Sequence, residues 1–396
     1  MHAQSVQEVR AAPLKMKRSF PEARVLLACL SSRPLSHYVL AAMEDQRLSW
    51  QTMFHAANQL GVGPLLYYRL AALGLREYIP AEMARRRREE LFSNQARNMK
   101  LYADVKRVLT ALTGEGIQVC VLKGLALAEG VYDHIGLRTM GDVDILVRKK
   151  DLDKAACVIE ELGFMSNETY REKAWYRDHH HHLVPYVSPD CSLTIEVHWH
   201  IIERTAFMDM PVDELWSHLK PVRIADVPCL ALSPEHMLLH MALHISSPNR
   251  FLGQLRGLCD VAQLLGRVGE EMDWLEVLRI AKLAEANKHL YCVLRLVRDV
   301  FGTSVPDEIF ILLRRQIVFV PLEERLIGHI ALNAALTPPA DTDTLYEWVF
   351  LDLVNHLLSQ RPYVGICRDL AKQVATRWKM RKMNESDRTG SPELRR

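Results

Sequence analysis

Asp142 and Asp144 stand one residue apart in Met140-Gly141-Asp142-Val143-Asp144-Ile145-Leu146-Val147-Arg148, an otherwise apolar, strand-like run. Successive side chains on a strand point to opposite faces, so the two carboxylates share one face while Val143 and Ile145 point into a core. Neighbouring anions repel and resist burial unless a cation sits between them. A divalent ion carrying a substrate phosphate meets that need. Glu196 offers a third acid within Leu193-Thr194-Ile195-Glu196-Val197-His198-Trp199-His200, where alternation sets Glu196, His198 and His200 on one face and Ile195, Val197 and Trp199 on the other. Three carboxylates holding two Mg²⁺ ions can lower the pKa of an attacking hydroxyl and neutralise charge building on an α-phosphate and pyrophosphate. Oxygen donors suit a hard ion such as Mg²⁺, with Mn²⁺ the alternative.

Phosphate needs its own donors. The apolar run Ile117–Leu122 reads as a short strand ending in Lys123-Gly124, with a helix following from about Leu125 to Tyr132. A helix amino terminus after glycine presents free backbone N–H groups to phosphate, and Lys123 adds a point charge. Arg138 is a further candidate phosphate contact. Each of these residues also has a plainer reading: a solvated strand edge for Asp142 and Asp144, a tolerated surface acid for Glu196, and a salt bridge to Asp142 for Arg138.

Histidines form a second theme. His179-His180-His181-His182 precedes an apolar strand and reads as a polar strand edge lining the pocket, with a structural zinc as the competing reading. His236, His240 and His244 recur every four residues after Ser233-Pro234-Glu235, a helix start with a capping Ser and an early Pro. His240 and His244 have chelating spacing but lack the Glu of a zinc-protease motif, so a packed helix face is the favoured reading. His198, His240 and His244 are the candidate acceptor-pocket residues.

The elements that must position these groups fall into zones. Residues 1–20 read as a flexible leader and 21–114 as a helical region, with a long helix from about Pro80 to Gly114. Leu91, Met99, Tyr102, Val105, Leu109 and Leu112 mark its buried side. Residues 115–204 read as a small α+β core in the order strand, helix, strand, helix, strand and strand. Its later elements are a helix at Asp151–Leu162 and strands at His181–Val187 and Leu193–Ile201. Residues 205–381 read as helical, with a loop at Pro338-Pro339, and 382–396 as a disordered tail. Arg377, Lys379, Arg381 and Lys382 around Trp378 read as ordinary helix-end solvation.

Fifty Lys and Arg against 48 Asp and Glu give a net charge of +2, which offers no broad footprint for nucleic acid or an anionic membrane. The run Arg85–Arg88, followed by Glu89 and Glu90, reads as a solvated helix face. Eight scattered cysteines with no C-x-x-C pair read as small core residues in a reducing compartment. No stretch approaches the roughly 18 apolar residues that span a bilayer. These features predict a soluble, cytoplasmic protein without a membrane partner.

The combination LKGLALAEGVYDHIGLRTMGDVDILV, a helix ending Glu-Leu-Gly-Phe, and IEVHWH resembles the bacterial uncharacterised nucleotidyltransferase family of the DNA polymerase β-like superfamily. The likeness extends to Trp50, Gly61-Val62-Gly63-Pro64-Leu65-Leu66-Tyr67, His240-Met241-Ala242-Leu243-His244 and Leu258-Cys259-Asp260, covering most of residues 25–265. It implies an α+β nucleotidyltransferase-type mixed sheet flanked by helical regions, with Asp142 and Asp144 on the catalytic metals, Glu196 as third acid, and Gly124 opening the nucleotide loop. Leu125 stands where the superfamily commonly has a Ser, removing a phosphate-binding hydroxyl for which Lys123 and Arg138 are the candidate substitutes. The activity implied is transfer of a nucleoside monophosphate from an NTP, ATP being the expected donor, to an acceptor the sequence does not identify. Two alternatives remain: a non-catalytic nucleotide-sensing or partner-binding protein on this fold, and an AMP-transferase acting on proteins in the manner of antitoxins.

Overall fold

The computed structural model describes residues 21–35, 37–44, 48–166, 177, 180–202, 210–247, 251–317 and 331–336. The readings placed on 1–20, His179, Pro338-Pro339, Arg377–Lys382 and 382–396 lie outside them.

Five helices lead the chain: α1 (Pro21–Leu30), α2 (His37–Glu44), α3 (Trp50–Gln59), α4 (Gly63–Ala72) and α5 (Ala81–Gly114). Ser49 caps α3 by accepting the Thr52 N–H, and Pro80 stands immediately before α5. The buried side of α5 differs from the expected stripe. Met99 is 60% exposed, whereas Asn94 and Asn98 are buried among Leu91, Leu101, Val105, Val108, Leu109 and Leu112. Hydrogen bonds explain the exchange. Asn94 Nδ2 donates to the Gly136 carbonyl at 2.8 Å, and Asn98 Nδ2 to the Ile135 and Arg138 carbonyls at 2.6 and 2.9 Å.

The middle of the chain runs β1 (Cys120–Val121), α6 (Lys123–Gly130), β2 (Asp142–Leu146), α7 (Leu152–Glu161), β3 (Met165–Ser166), β4 (Tyr186–Val187) and β5 (Thr194–His198). After α8 (Val212–Ser217) come β6 (Lys220–Ile224) and β7 (Val227–Ala231). Together they form one seven-stranded mixed sheet in the order β3-β4-β5-β2-β1-β7-β6. The fold is α+β, as expected. The sheet nevertheless reaches past residue 204 into the stretch read as helical, because β7 pairs parallel with β1 and β6 closes the edge as a hairpin. Its two-residue turn, Ala225-Asp226, has both residues at positive φ (50° and 65°), the geometry of a tight hairpin, without the Asn-Gly or Asp-Gly signature that would announce it.

The rest is helical: α9 (Pro234–Ser246), α10 (Leu255–Val268), α11 (Trp274–Leu283), α12 (Asn287–Leu296) and α13 (Asp307–Arg315). Ser233 caps α9 as expected. Alternation along the strands splits the core in two. Val121, Val143, Ile145, Ile195 and Val197 pack with Val105, Leu109 and Leu112 of α5 and Ile159 of α7. Cys120, Leu122 and Leu146 join the larger helical core containing Leu239, Leu243 and Leu258. The carboxylates belong to this second face, beneath α9 and α10.

Other expectations need adjusting. Cys29, Cys120, Cys229, Cys259 and Cys292 are buried, but Cys157 and Cys191 are exposed rather than in the core. Arg85 and Arg86 pair with Glu82, Arg85 also with Glu89, and Arg87 with Glu90, so the basic run is locally neutralised. Among the described residues no helix is long and apolar enough to cross a membrane.

Candidate active site

Strand β2 lies parallel to β5 with Asp144 opposite Glu196 and Leu146 opposite His198. Residues opposite one another share a face, so this register brings the third acid beside the second. His198 Nε2 lies 2.9 Å from Asp144 Oδ1 and 3.4 Å from Glu196 Oε2, and Lys123 Nζ donates to Asp144 Oδ1 at 3.4 Å. Ligand atoms of Asp144, Glu196 and His198 all lie within 4.8 Å of one another. Asp142 stands outside that trio. It occupies the exposed start of β2 on the same face, opposite Thr194.

The charges respond to this crowding. Protein around the Asp142 carboxyl, then repulsion from Asp144 and Glu196, push its pKa up. Burial works against an ionised Asp144, but Lys123 and the His198 hydrogen bond outweigh it and hold that carboxyl well below its usual range. His198 is raised in turn: burial opposes its charge, and the bonds to Asp144 and Glu196 prevail. The cations thus prevail at Asp144, while at Asp142 burial and the neighbouring acids outweigh Lys123 and Arg256. The donor set could hold a divalent ion, because Asp144, Glu196 and His198 bring ligand atoms within 4.8 Å of one another and Asp142 stands on the same face.

Asp142 and Asp144 open on a hollow of about 70 Å³ also lined by Lys123, Gly124, His244 and Arg256. Larger cavities of about 760 and 540 Å³ are lined by none of these residues, so size does not mark the site. Lys123 begins α6 in the left-handed region (φ 38°), an arrangement that costs a non-glycine residue on the order of 1–3 kcal/mol. Gly124 follows, and a Cβ there would lie 2.6 Å from Arg138 Nη1, so a larger residue would require the guanidinium to shift.

Arg138 is, by sequence, a candidate partner for Asp142 or for phosphate. Its guanidinium instead forms a two-pronged pair with Asp260 of α10, Nε to Oδ1 at 2.9 Å and Nη2 to Oδ2 at 2.8 Å, both side chains buried. Tyr132 donates a further bond to Asp260 Oδ1 at 2.6 Å. Arg138 still lines the hollow, with two of its five N–H donors taken by Asp260.

Among the other expected site residues, His244 lines the hollow, whereas His198 lies within the carboxylate cluster. His240 is fully buried and outside the lining, and neither of its ring nitrogens has a hydrogen-bond partner. His200 does not continue the polar face. The strand ends at His198, and the His200 ring instead meets the Ile202 and Met210 carbonyls. His182 bridges to His198 and approaches Glu196 at 3.9 Å, but neither it nor His180 or His181 lines the hollow.

Arg256 is the residue that sequence reasoning missed. It lines the hollow, donates to the Thr139 carbonyl at 3.0 Å, and has its pKa lowered by burial and then by Arg138. Thr139 Oγ1 donates to the Gly61 carbonyl at 2.9 Å, which ties the loop before β2 to the amino-terminal helices. A lone Arg near the start of an amphipathic helix gives no signal of such a role.

With this geometry in place, the chain belongs to the uncharacterised nucleotidyltransferase family, whose model matches residues 46–302. That span takes in the hairpin β6–β7 and the helices through α12, well beyond the core alone. No curated protein matches the sequence. Among solved structures, that of the antibiotic-resistance factor ANT(2'')-Ia is similar with a TM-score of 0.34 and 12% identity, over 50% of this chain and 96% of that one. Nothing about substrate carries across at that distance.

Proposed function

We propose that this protein is a Mg²⁺-dependent nucleotidyltransferase that moves a nucleoside monophosphate from an NTP, ATP being the expected donor, to an acceptor and releases pyrophosphate. The observation that carries the reading is the β2–β5 register, which sets Glu196 beside Asp144 on the face where Asp142 opens to the hollow. Asp142, Asp144 and Glu196 would hold the metal, with Mn²⁺ able to substitute. When bound, the ion supplies charge neutralisation at the α-phosphate and activation of the acceptor hydroxyl or amine.

The chain's own groups do the rest. Lys123 and Arg256 both line the hollow and would hold the triphosphate and orient it towards the acids. The first N–H groups of α6, which no side chain caps, face the same need. Arg138, neutralised by Asp260, positions Gly124 and the loop before β2. A space of about 70 Å³ holds ions and phosphate oxygens but not a nucleotide, so base and ribose would lie over its mouth. His198 keeps Asp144 ionised and oriented by its hydrogen bond. His244 lines the hollow from α9 and would be the histidine that meets an acceptor.

Incubation with each α-labelled NTP and Mg²⁺, against small-molecule and protein acceptors, tests the reading. Label transfer that disappears in Asp142→Asn and in Asp144→Asn is expected. Nucleotide binding without turnover, and with affinity indifferent to Asp144→Asn, would favour the sensing alternative. Labelled protein bands in a lysate would identify a protein acceptor.

A further inference from the structure

A second group of metal-type donors lies apart from the carboxylates of the sheet. Glu214 on α8, His218 just past its end and His236 in the first turn of α9 bring ligand atoms within 4.8 Å of one another. None of them lines the hollow described above.

His236 carries the argument. It is 1% exposed, its Nε2 is buried without a hydrogen-bond partner, and that nitrogen lies 3.9 Å from Glu214 Oε1. Its other nitrogen, Nδ1, sits 3.0 Å from the hydroxyl of Ser233 that caps the helix. When Nδ1–H donates to that hydroxyl, the lone pair is on Nε2 and points at Glu214. Metal-binding imidazoles are commonly oriented by such an outer hydrogen bond. His218 Nδ1 is 3.4 Å from Glu214 Oε1, and its Nε2 is 4.0 Å from Glu276 Oε1 on α11. The two rings are nearly parallel, with centroids 5.0 Å apart. Arg279 is the competing cation: half exposed, it pairs with both Glu214 and Glu276.

We propose that Glu214, His218 and His236 form a site for a transition-metal dication such as Zn²⁺, with Glu276 in reach as a fourth ligand. Two imidazoles and one or two carboxylates make a donor set of intermediate softness, which suits Zn²⁺ better than Mg²⁺. The bound ion would clamp α8 and α11 to the start of α9. This site is independent of the nucleotidyl-transfer reading.

The test uses the full chain carrying Asp142→Asn, Asp144→Asn and Glu196→Gln, so that the sheet carboxylates do not compete. Zn²⁺ is titrated against a chromophoric chelator, and Co²⁺ reports coordination by its visible spectrum. The proposal expects one equivalent of tightly bound Zn²⁺ to disappear in His236→Ala and in His218→Ala, and affinity to rise severalfold in Arg279→Gln. His218 is partly exposed, so its variant keeps the test available if His236→Ala does not fold. The same number of bound equivalents in His218→Ala as in the parent chain overturns the site.

Discussion

Asp144 on the sheet and His289 among the helices are equally buried, 5% and 6% exposed, yet they are held in opposite states. Asp144 is kept ionised by Lys123 at 3.4 Å and His198 at 2.9 Å. His289 meets the hydroxyl of Ser246 at 2.9 Å, while burial and then the neighbouring Lys288 push its pKa down to about 4. Burial alone therefore does not decide whether a group is charged; the charge of its partners does. The sheet face under α9 and α10 is furnished with opposite charges, and the helical layer around His289 is not.

The largest expected effect breaks the charged side of this comparison. Asp144→Asn should lower nucleotidyl transfer on the order of 10³-fold, about 4 kcal/mol of transition-state stabilisation, measured as kcat/KM with the labelled NTP. Its unfolding free energy should also fall, because buried His198 loses one of its two carboxylate partners and keeps Glu196. Next, Asp260→Ala would strand the buried Arg138 and remove the acceptor of Tyr132. Deleting one partner of a buried pair costs about 3–5 kcal/mol, so the urea midpoint should drop steeply. Asp260→Asn, which keeps the side chain's shape, should cost less. If both variants unfold like the parent chain, Arg138 is not tied to Asp260 in solution.

The opposite face of the same strand supplies the contrast. Ile145 is 1% exposed against α5 and α7, and Ile145→Ala should cost about 2–5 kcal/mol of stability. Activity per folded molecule should hardly change, since Ile145 points away from the hollow. A variant that loses turnover while keeping its urea midpoint would show that the two faces are not separable.

How much of this was legible in the sequence follows from the range of each interaction. The period of two along a strand is local, so the shared face of Asp142 and Asp144 could be read directly. Pairing of Asp144 with Glu196 could not, because the register is fixed by 51 intervening residues folding through α7 and β4. Arg138 and Asp260 are 122 residues apart, and nothing local links them. On α5, counting apolar residues picked Met99 because the helix uses Asn94 and Asn98 at its buried positions, where they bond loop carbonyls. The hairpin β6–β7 escaped because Ala225-Asp226 adopts a turn its residue types do not advertise. The histidine repeat on α9 suggested a single face, yet His236 turns to Glu214 while His244 turns to the hollow.

The smallest effect sharpens the neutral side. An unfolded His protonates near pH 6.5, whereas His289 in the fold protonates only near pH 4. Between these values the unfolded chain binds a proton that the folded chain does not, so acid favours unfolding. The stability His289 contributes is complete above about pH 6.5, declines as pH falls, and stops declining below about pH 4, where both states are charged. Each pH unit across that window is worth at most about 1.4 kcal/mol. His289→Gln removes the titration and should flatten the unfolding free energy between pH 6.5 and 4 relative to the parent chain, even if it lowers stability at neutral pH. An unchanged slope would mean that His289 finds a compensating anion in solution, and the contrast with Asp144 would then fail at its neutral end.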